Sequence, residues 1–274
     1  MGILVSHRQL PLDLPEPAVG RGTGGREGGA AGATGELGSS AAGRAERAKR
    51  PGRGGMRAGA GRKRAPWKRR PDVAHVARPS HDADVPVHVT LRARREAAFL
   101  RAETVFARVE QAFSRAQRED FRILAFSVQR DHVHLVVEAG GSRALRSGLQ
   151  GLTIRVARAV NKALRRKGPV WGDRYHRRDL PRPTQVRTAM VYVLQNGRKH
   201  GVCARGELDP ASSARLFFGW NARGHELRRS AQPAGLVRDP PISLPRTWLG
   251  GRGWLLRGGG PIDPLEAPRP PPRR

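Results

Sequence analysis

Regularly spaced apolar residues are concentrated between about 85 and 220 in this chain, and that concentration decides how much of it can fold. Ahead of them, "GRGTGGREGGAAGATGELGSSAAGRAERAKRPGRGG" is mostly Gly, Ala and Arg. Such a stretch cannot bury enough apolar surface to offset the entropy of ordering it. Residues 1–75 are therefore expected to be a disordered basic region, with Met56 a candidate downstream start that N-terminal mass spectrometry of the native protein would check. At the other end "APRPPPRR" reads as a loose tail. Between these lie one domain of ordinary size and a Pro- and Gly-rich extension, residues 203–274. The extension carries Phe217, Phe218, Trp220, Trp248 and Trp254, and is expected to be partly packed or disordered.

Inside the window the period alternates between two and about 3.6 residues. "VPVHVTLRAR" (85–94) alternates like a strand. Phe99, Ala102, Phe106, Val109 and Phe113 then recur like one helix face. "FRILAFSV" (121–128) and "HVHLVVEA" (132–139) are strands joined by the short turn Gln129-Arg130-Asp131. Ser142 is placed to cap a second helix, lined by Leu145, Leu149, Leu152, Val156 and Val160. "YHRRDL" (175–180) reads as a fourth strand. Pro183 and Thr184 open a third helix, which Gly197 and Gly201 stop. The order β-α-β-β-α-β predicts an α+β, ferredoxin-like fold: an antiparallel sheet with two helices on one face, plus an added C-terminal helix. The other face of that sheet is expected to be open.

Charge narrows the partner. The chain has 52 Lys plus Arg against 23 Asp plus Glu, a formal net charge of +29. A polyanion is the natural counterpart of such a field, and nucleic acid is the first candidate. No stretch approaches the ~20 apolar residues of a spanning helix, and "MGILVSH" is too short for a signal peptide. The single cysteine, Cys203, rules out a disulfide framework and fits a reducing cytoplasm.

The third strand carries the feature most suggestive of chemistry. His132 and His134 sit two residues apart and so share a face, while Val133, Leu135 and Val137 face the helices. Two imidazoles held at a strand's spacing can ligate one metal ion. By itself, though, the pattern more often marks two hydrogen-bonded surface histidines. The third helix supplies possible company. Val186, Ala189, Met190, Val193 and Leu194 form its core stripe. Tyr192 lies off that stripe. Asn196 is one turn further on the same flank, with Lys199 beyond it and Gln195 one residue less well placed. A phenol is a poor nucleophile until it loses its proton; a divalent ion beside it can stabilise charge on a phosphate undergoing attack. The chain has only two tyrosines, so the alternative nucleophile is Tyr175, whose position before the edge strand suits packing or DNA contact.

"PVHVTLR", "RILAFSVQRDHVHLVVE", "GPVWGDRYHRRDL" and "AMVYVLQNGRKHG" together resemble the HUH-type, single-tyrosine transposases of the IS200-like class, closest to the branch associated with repetitive extragenic palindromes. The resemblance covers roughly residues 80–202. It implies His132 and His134 as metal ligands, Asn196 as a third, amide-type ligand, and Tyr192 as nucleophile. The metal would be Mg²⁺ or Mn²⁺, and the substrate single-stranded or hairpin DNA, cut and rejoined through a 5′-phosphotyrosine. It also implies a monomer or a homodimer, associated with the nucleoid. Many members of the branch continue Asn-Pro after the tyrosine motif; here the pair is Asn196-Gly197.

Phosphate contacts are expected from Arg155 and Lys162 on the second helix, and from Lys199. Arg174, Arg177 and Arg178 are expected to join them, since charge and stacking surfaces meet near Trp171 and Tyr175. The flexible arm "GRKRAPWKRRP" (61–71) is a further candidate. The competing reading is a non-catalytic, domesticated DNA- or RNA-hairpin-binding protein. A ferredoxin-like RNA-binding module ranks below both, because it would carry aromatics on the central strands where this chain has histidines.

Overall fold

The computed structural model describes residues 77–231 and 239–269. The basic region 1–75 with its arm, and the last residues of the proline-rich tail, lie outside the described residues. Four strands form one antiparallel sheet: β1 (Val87–Arg92), β2 (Phe121–Val128), β3 (His132–Ala139) and β4 (His176–Asp179), in the order β2-β3-β1-β4. This is the ferredoxin-like arrangement that the alternating periods predict. The strand bounds of β2 and β3 match the sequence patterns residue for residue, because a short turn separates two strongly apolar runs.

The first face of the sheet carries Val87, Val89, Leu91, Val133, Leu135 and Val137, all essentially excluded from solvent. Against it pack α1 (Glu103–Ser114) and α2 (Ser142–Ala163). The α1 stripe is Val105, Val109, Ala112 and Phe113. Phe99 and Ala102 fall before the helix, and Phe99 is exposed, so the expected face was drawn one turn too long. Ser142 is the first helical residue rather than the cap; its hydroxyl accepts from the His81 N–H at 2.8 Å, and Gly141, at φ 127°, makes the entry turn. At this φ only glycine is unstrained.

The second face is not open. α3 (Pro183–Leu194) lies across it, burying Val186, Ala189, Met190, Val191, Tyr192, Val193 and Leu194. Leu124, Ala125 and Val136 meet the helix from the sheet. The C-terminal extension completes this layer. Phe217, Trp220 and Trp254 pack together, and Trp220 bridges in parallel to Ile262. Glu138 on β3 is buried and accepts from the Arg246 and Thr247 N–H groups and the Thr247 hydroxyl, at 2.8, 3.2 and 2.7 Å. Arg187 on α3 is paired with Glu266 and donates to the Gly260 and Pro261 carbonyls. Described parts of the extension are thus the sheet's second cover. Among the described residues, no helix is long and apolar enough to cross a membrane.

Gly148 lets α2 approach β2 closely. A Cβ there would stand 2.2 Å from the ring of Phe121, which is fully buried. Gly148→Ala gains up to ~1 kcal/mol of helix propensity but overpacks a tight core, which costs about 1–3 kcal/mol. Urea unfolding should therefore show a net loss of about 1–2 kcal/mol. An unchanged or higher midpoint would show that the Phe121 ring can yield.

Candidate active site

Strand register builds the site. His134 pairs with Thr90 and His132 with Arg92, so these side chains and that of His88 point to the second face, under α3. His88, His132 and His134 are all buried, at 7%, 8% and 6% exposure. Each imidazole is held through one nitrogen. His132 Nδ1 meets Asp131 Oδ1 at 2.7 Å; His134 Nδ1 lies 3.0 Å from Thr90 Oγ1 and 3.2 Å from His88 Nε2. Burial, then the charge of Arg178, pushes His88 down to about 4. Burial, then the neighbouring imidazoles and Lys199, holds His134 well below its ordinary value. Both are therefore neutral near pH 7. Burial works against the Asp131 carboxylate, but the His132 contact and Arg92 more than offset it and hold its pKa below the usual value.

α3 brings Tyr192 into this group. Its ring stands edge-on to His134 with centroids 5.1 Å apart, and 5.9 Å from His88. The ring is buried, and Lys199 Nζ donates to its hydroxyl at 3.3 Å. Tyr175, the other tyrosine, packs against the first-face core, with the Arg78 guanidinium 3.8 Å above its ring. The sheet lies between it and the histidines.

The helix does not run on to Asn196 as one piece. α3 ends at Leu194, Gln195 turns at φ −111° and ψ 14°, and α4 (Asn196–Lys199) follows. Asn196 is fully enclosed, and neither atom of its amide has a partner among the described residues. Gln195 is committed elsewhere: its Nε2 donates to the Asp263 carbonyl at 2.9 Å and its Oε1 accepts from Arg198. The end of α4 brings up His200, whose ring centroid lies 5.0 Å from that of His132. Burial and the charges of His132 and Lys199 lower its pKa.

These residues fit a divalent cation in donor chemistry. With Nδ1 engaged, each of His132 and His134 can present Nε2 as a lone pair, the usual arrangement of ligating histidines. Asn196 adds a buried amide oxygen that lacks a hydrogen bond, a condition worth about 1–3 kcal/mol of unfavourable desolvation if nothing meets it. Among the described residues no three His, Cys, Asp or Glu side chains form a metal-holding group. A cation here would accordingly lean on two imidazoles, amide oxygen and substrate.

The expected phosphate contacts divide. Arg178 pairs with His88 across β1 and β4 and shares its face. Arg174 is half-buried in the loop before β4. The Arg177 guanidinium is committed within the fold, to both oxygens of Asp179 and to the Pro79 and Ser80 carbonyls. Arg155 and Lys162 are exposed on α2, across the sheet from Tyr192. Lys199 is at the tyrosine itself.

His88, Thr90, Asp131 and His200 escaped the sequence reading. The first two carried a usable signal: antiparallel pairing of two alternating strands puts the polar set of β1 beside that of β3. Gly197 has a purpose as well, since a Cβ there would lie 2.3 Å from Asp209 Oδ2. Asp209 is buried and gripped by Arg101 at 2.8 and 2.9 Å. Gly197→Ala should cost about 1–3 kcal/mol in the native background. In an Asp209→Ala background the same change should cost less than about 0.5 kcal/mol. Equal costs in both backgrounds, by urea unfolding, would show that this contact does not seat α4.

Residues 83–195 match the family model described as "Transposase IS200 like". That span includes His132, His134 and Tyr192 and ends one residue before Asn196. Among solved structures the chain is similar to a REP-associated tyrosine transposase bound to a REP hairpin, at 18% identity and a TM-score of 0.45, over 64% of this chain and 99% of that one. It is also similar to a Deinococcus radiodurans R1 protein described provisionally as a transposase, at 16% identity and a TM-score of 0.29, over 38% of this chain and 85% of that one. No curated protein matches it. The part of the chain that is similar to the IS200-like transposase family is thus residues 83–195, which hold the four-stranded sheet and the paired histidines.

Proposed function

We propose that this domain cuts and rejoins single-stranded DNA, with Tyr192 as nucleophile and His132, His134 and Asn196 as the holders of Mg²⁺ or Mn²⁺. Tyr192 Oη attacks phosphorus and the P–O3′ bond breaks. The 5′-phosphate stays on the tyrosine as an ester, and the proton given up by the phenol is balanced by the one taken up by the departing 3′-oxygen. No water is consumed, so the linkage can be reversed by another 3′-hydroxyl. The cation, when bound, supplies positive charge to the phosphoryl oxygens. The ammonium of Lys199 favours negative charge on the phenol oxygen it contacts. In this reading Lys199 serves the nucleophile as well as any phosphate near it. Arg178 and Arg174, on and before the edge strand, are assigned to the strand's phosphates. A hairpin-bearing substrate follows from the sequence resemblance.

The observation that carries this reading is the 5.1 Å approach of Tyr192 to His134 within one chain. It supports a site complete in a single subunit, without a tyrosine donated by a partner. The second reading, a hairpin-binding protein that does not cut, draws on the enclosure of His132, His134 and Tyr192.

A labelled single-stranded hairpin, taken from the flanks of the native gene and incubated with Mn²⁺, separates the two. A denaturant-resistant protein–DNA adduct should form with the unmodified chain and with Tyr175→Phe. It should be absent with Tyr192→Phe or with chelator. Lys199→Met should slow adduct formation on the order of tenfold or more. Tight hairpin binding with no adduct, across a range of hairpins, would establish the non-catalytic reading instead.

A further inference from the structure

Gln129 closes β2 at the turn into β3. Its N–H donates to the His132 carbonyl at 2.8 Å, and Ser127, two residues earlier, pairs with His134. Cross-strand neighbours of an antiparallel hairpin present side chains to one face, with Cβ atoms about 4.5–5.5 Å apart. Ser127 and Gln129 therefore stand with the histidines on the second face.

Gln129 is 1% exposed. Its Nε2 donates to Ser127 Oγ at 2.8 Å, which turns the amide so that Oε1 is the remaining group. Oε1 is buried without a partner among the described residues, as is the amide of Asn196. One clamp serves both residues. Arg101 donates to the carbonyl of Val128, next to Gln129, and to Asp209, which backs Gly197, next to Asn196. An enclosed amide oxygen without a hydrogen bond, on the strand paired with the histidines and on their face, is hard to explain by packing alone, because buried polar groups are nearly always satisfied.

We propose that Gln129 Oε1 is a further oxygen donor to the divalent-cation site; this rests on the reading of that site given above. Mg²⁺ and Mn²⁺ prefer oxygen donors, and the imidazole pair supplies none. A neutral amide adds a ligand without adding charge, so the site keeps its demand for phosphate oxygens. Ser127 acts as a positioning residue, fixing which end of the amide faces inward.

Mn²⁺ binding to the full-length, metal-free chain, measured by calorimetry and by the Mn²⁺ electron-spin-resonance signal, tests this alongside metal-free melting. Gln129→Leu should weaken Mn²⁺ binding on the order of tenfold without lowering the metal-free melting temperature. Gln129→Glu, which keeps an oxygen and adds charge, should bind as tightly as the unmodified chain or more so. Unchanged Mn²⁺ affinity in Gln129→Leu overturns the inference. So does a weakening that follows a lower melting temperature and is not rescued by Gln129→Glu. His132→Ala and His134→Ala are the control arms: an unmodified chain that binds no Mn²⁺, or binding that survives both changes, overturns the cation site itself.

Discussion

Everything at the candidate site follows from α3 lying flat on the histidine-bearing face of the sheet. That contact is apolar at one end, where Leu124, Ala125 and Val136 meet the helix, and polar at the other, where the imidazoles of His88 and His134 meet Tyr192. Burying imidazoles this deeply is tolerable only if they are neutral and hydrogen-bonded. His88 and His134 are held neutral by burial, and the Nδ1 contacts of His132 and His134 satisfy one side of each ring. Packing and protonation state therefore have one cause. The same helix that seals the sheet leaves His88 and His134 neutral, with a phenol alongside.

The excess of positive charge is a poor map of where a polyanion would lie. Several arginines are committed to holding the chain together: Arg101 to Asp209, Arg177 to Asp179, Arg187 to Glu266, and Arg198 to the Pro264 and Glu266 carbonyls. A guanidinium presents five donors in a rigid fork, which suits carbonyls and carboxylates of a loop as well as phosphate. Such forks attach the C-terminal extension to α3 and α4. Charge that remains on the surface at Arg155 and Lys162 lies on α2, across the sheet from Tyr192.

Most of the scaffold was legible because it rests on local pattern. The two runs around Gln129-Arg130-Asp131 could only be a hairpin, and Pro183 could only begin a helix. What escaped were properties that depend on a neighbour in space. The ferredoxin-like order puts two helices on one face and by itself leaves the second face open. Yet "AMVYVL" is apolar all round, and a helix without a polar side is one covered on all sides. Phe99 fits the α1 period but lies in the preceding loop, whose N–H and carbonyl groups bond within the loop and to the 129–132 turn. Periodicity alone does not mark where a helix begins. A single histidine in an alternating strand looks like any exposed polar residue until register sets His88 opposite Val136, diagonal to His134, where the two rings meet.

The break after Leu194 shows how the extension bears on the site. An unbroken helix would have carried Asn196 one turn past Tyr192 along the same flank, as the spacing predicts. The Gln195 turn is held from outside: its amide is tied to the Asp263 carbonyl and to Arg198, which reaches the Pro264 and Glu266 carbonyls. Gly197 then sits against Asp209 where any side chain would collide, so α4 is seated from two sides. A glycine at this point, rather than a proline, retains the N–H of residue 197 and leaves room for Asp209. The enclosure of Asn196, and the approach of Lys199 to the tyrosine hydroxyl, thus depend on residues 209 and 263–266. Those positions lie well beyond the segment that the family match covers.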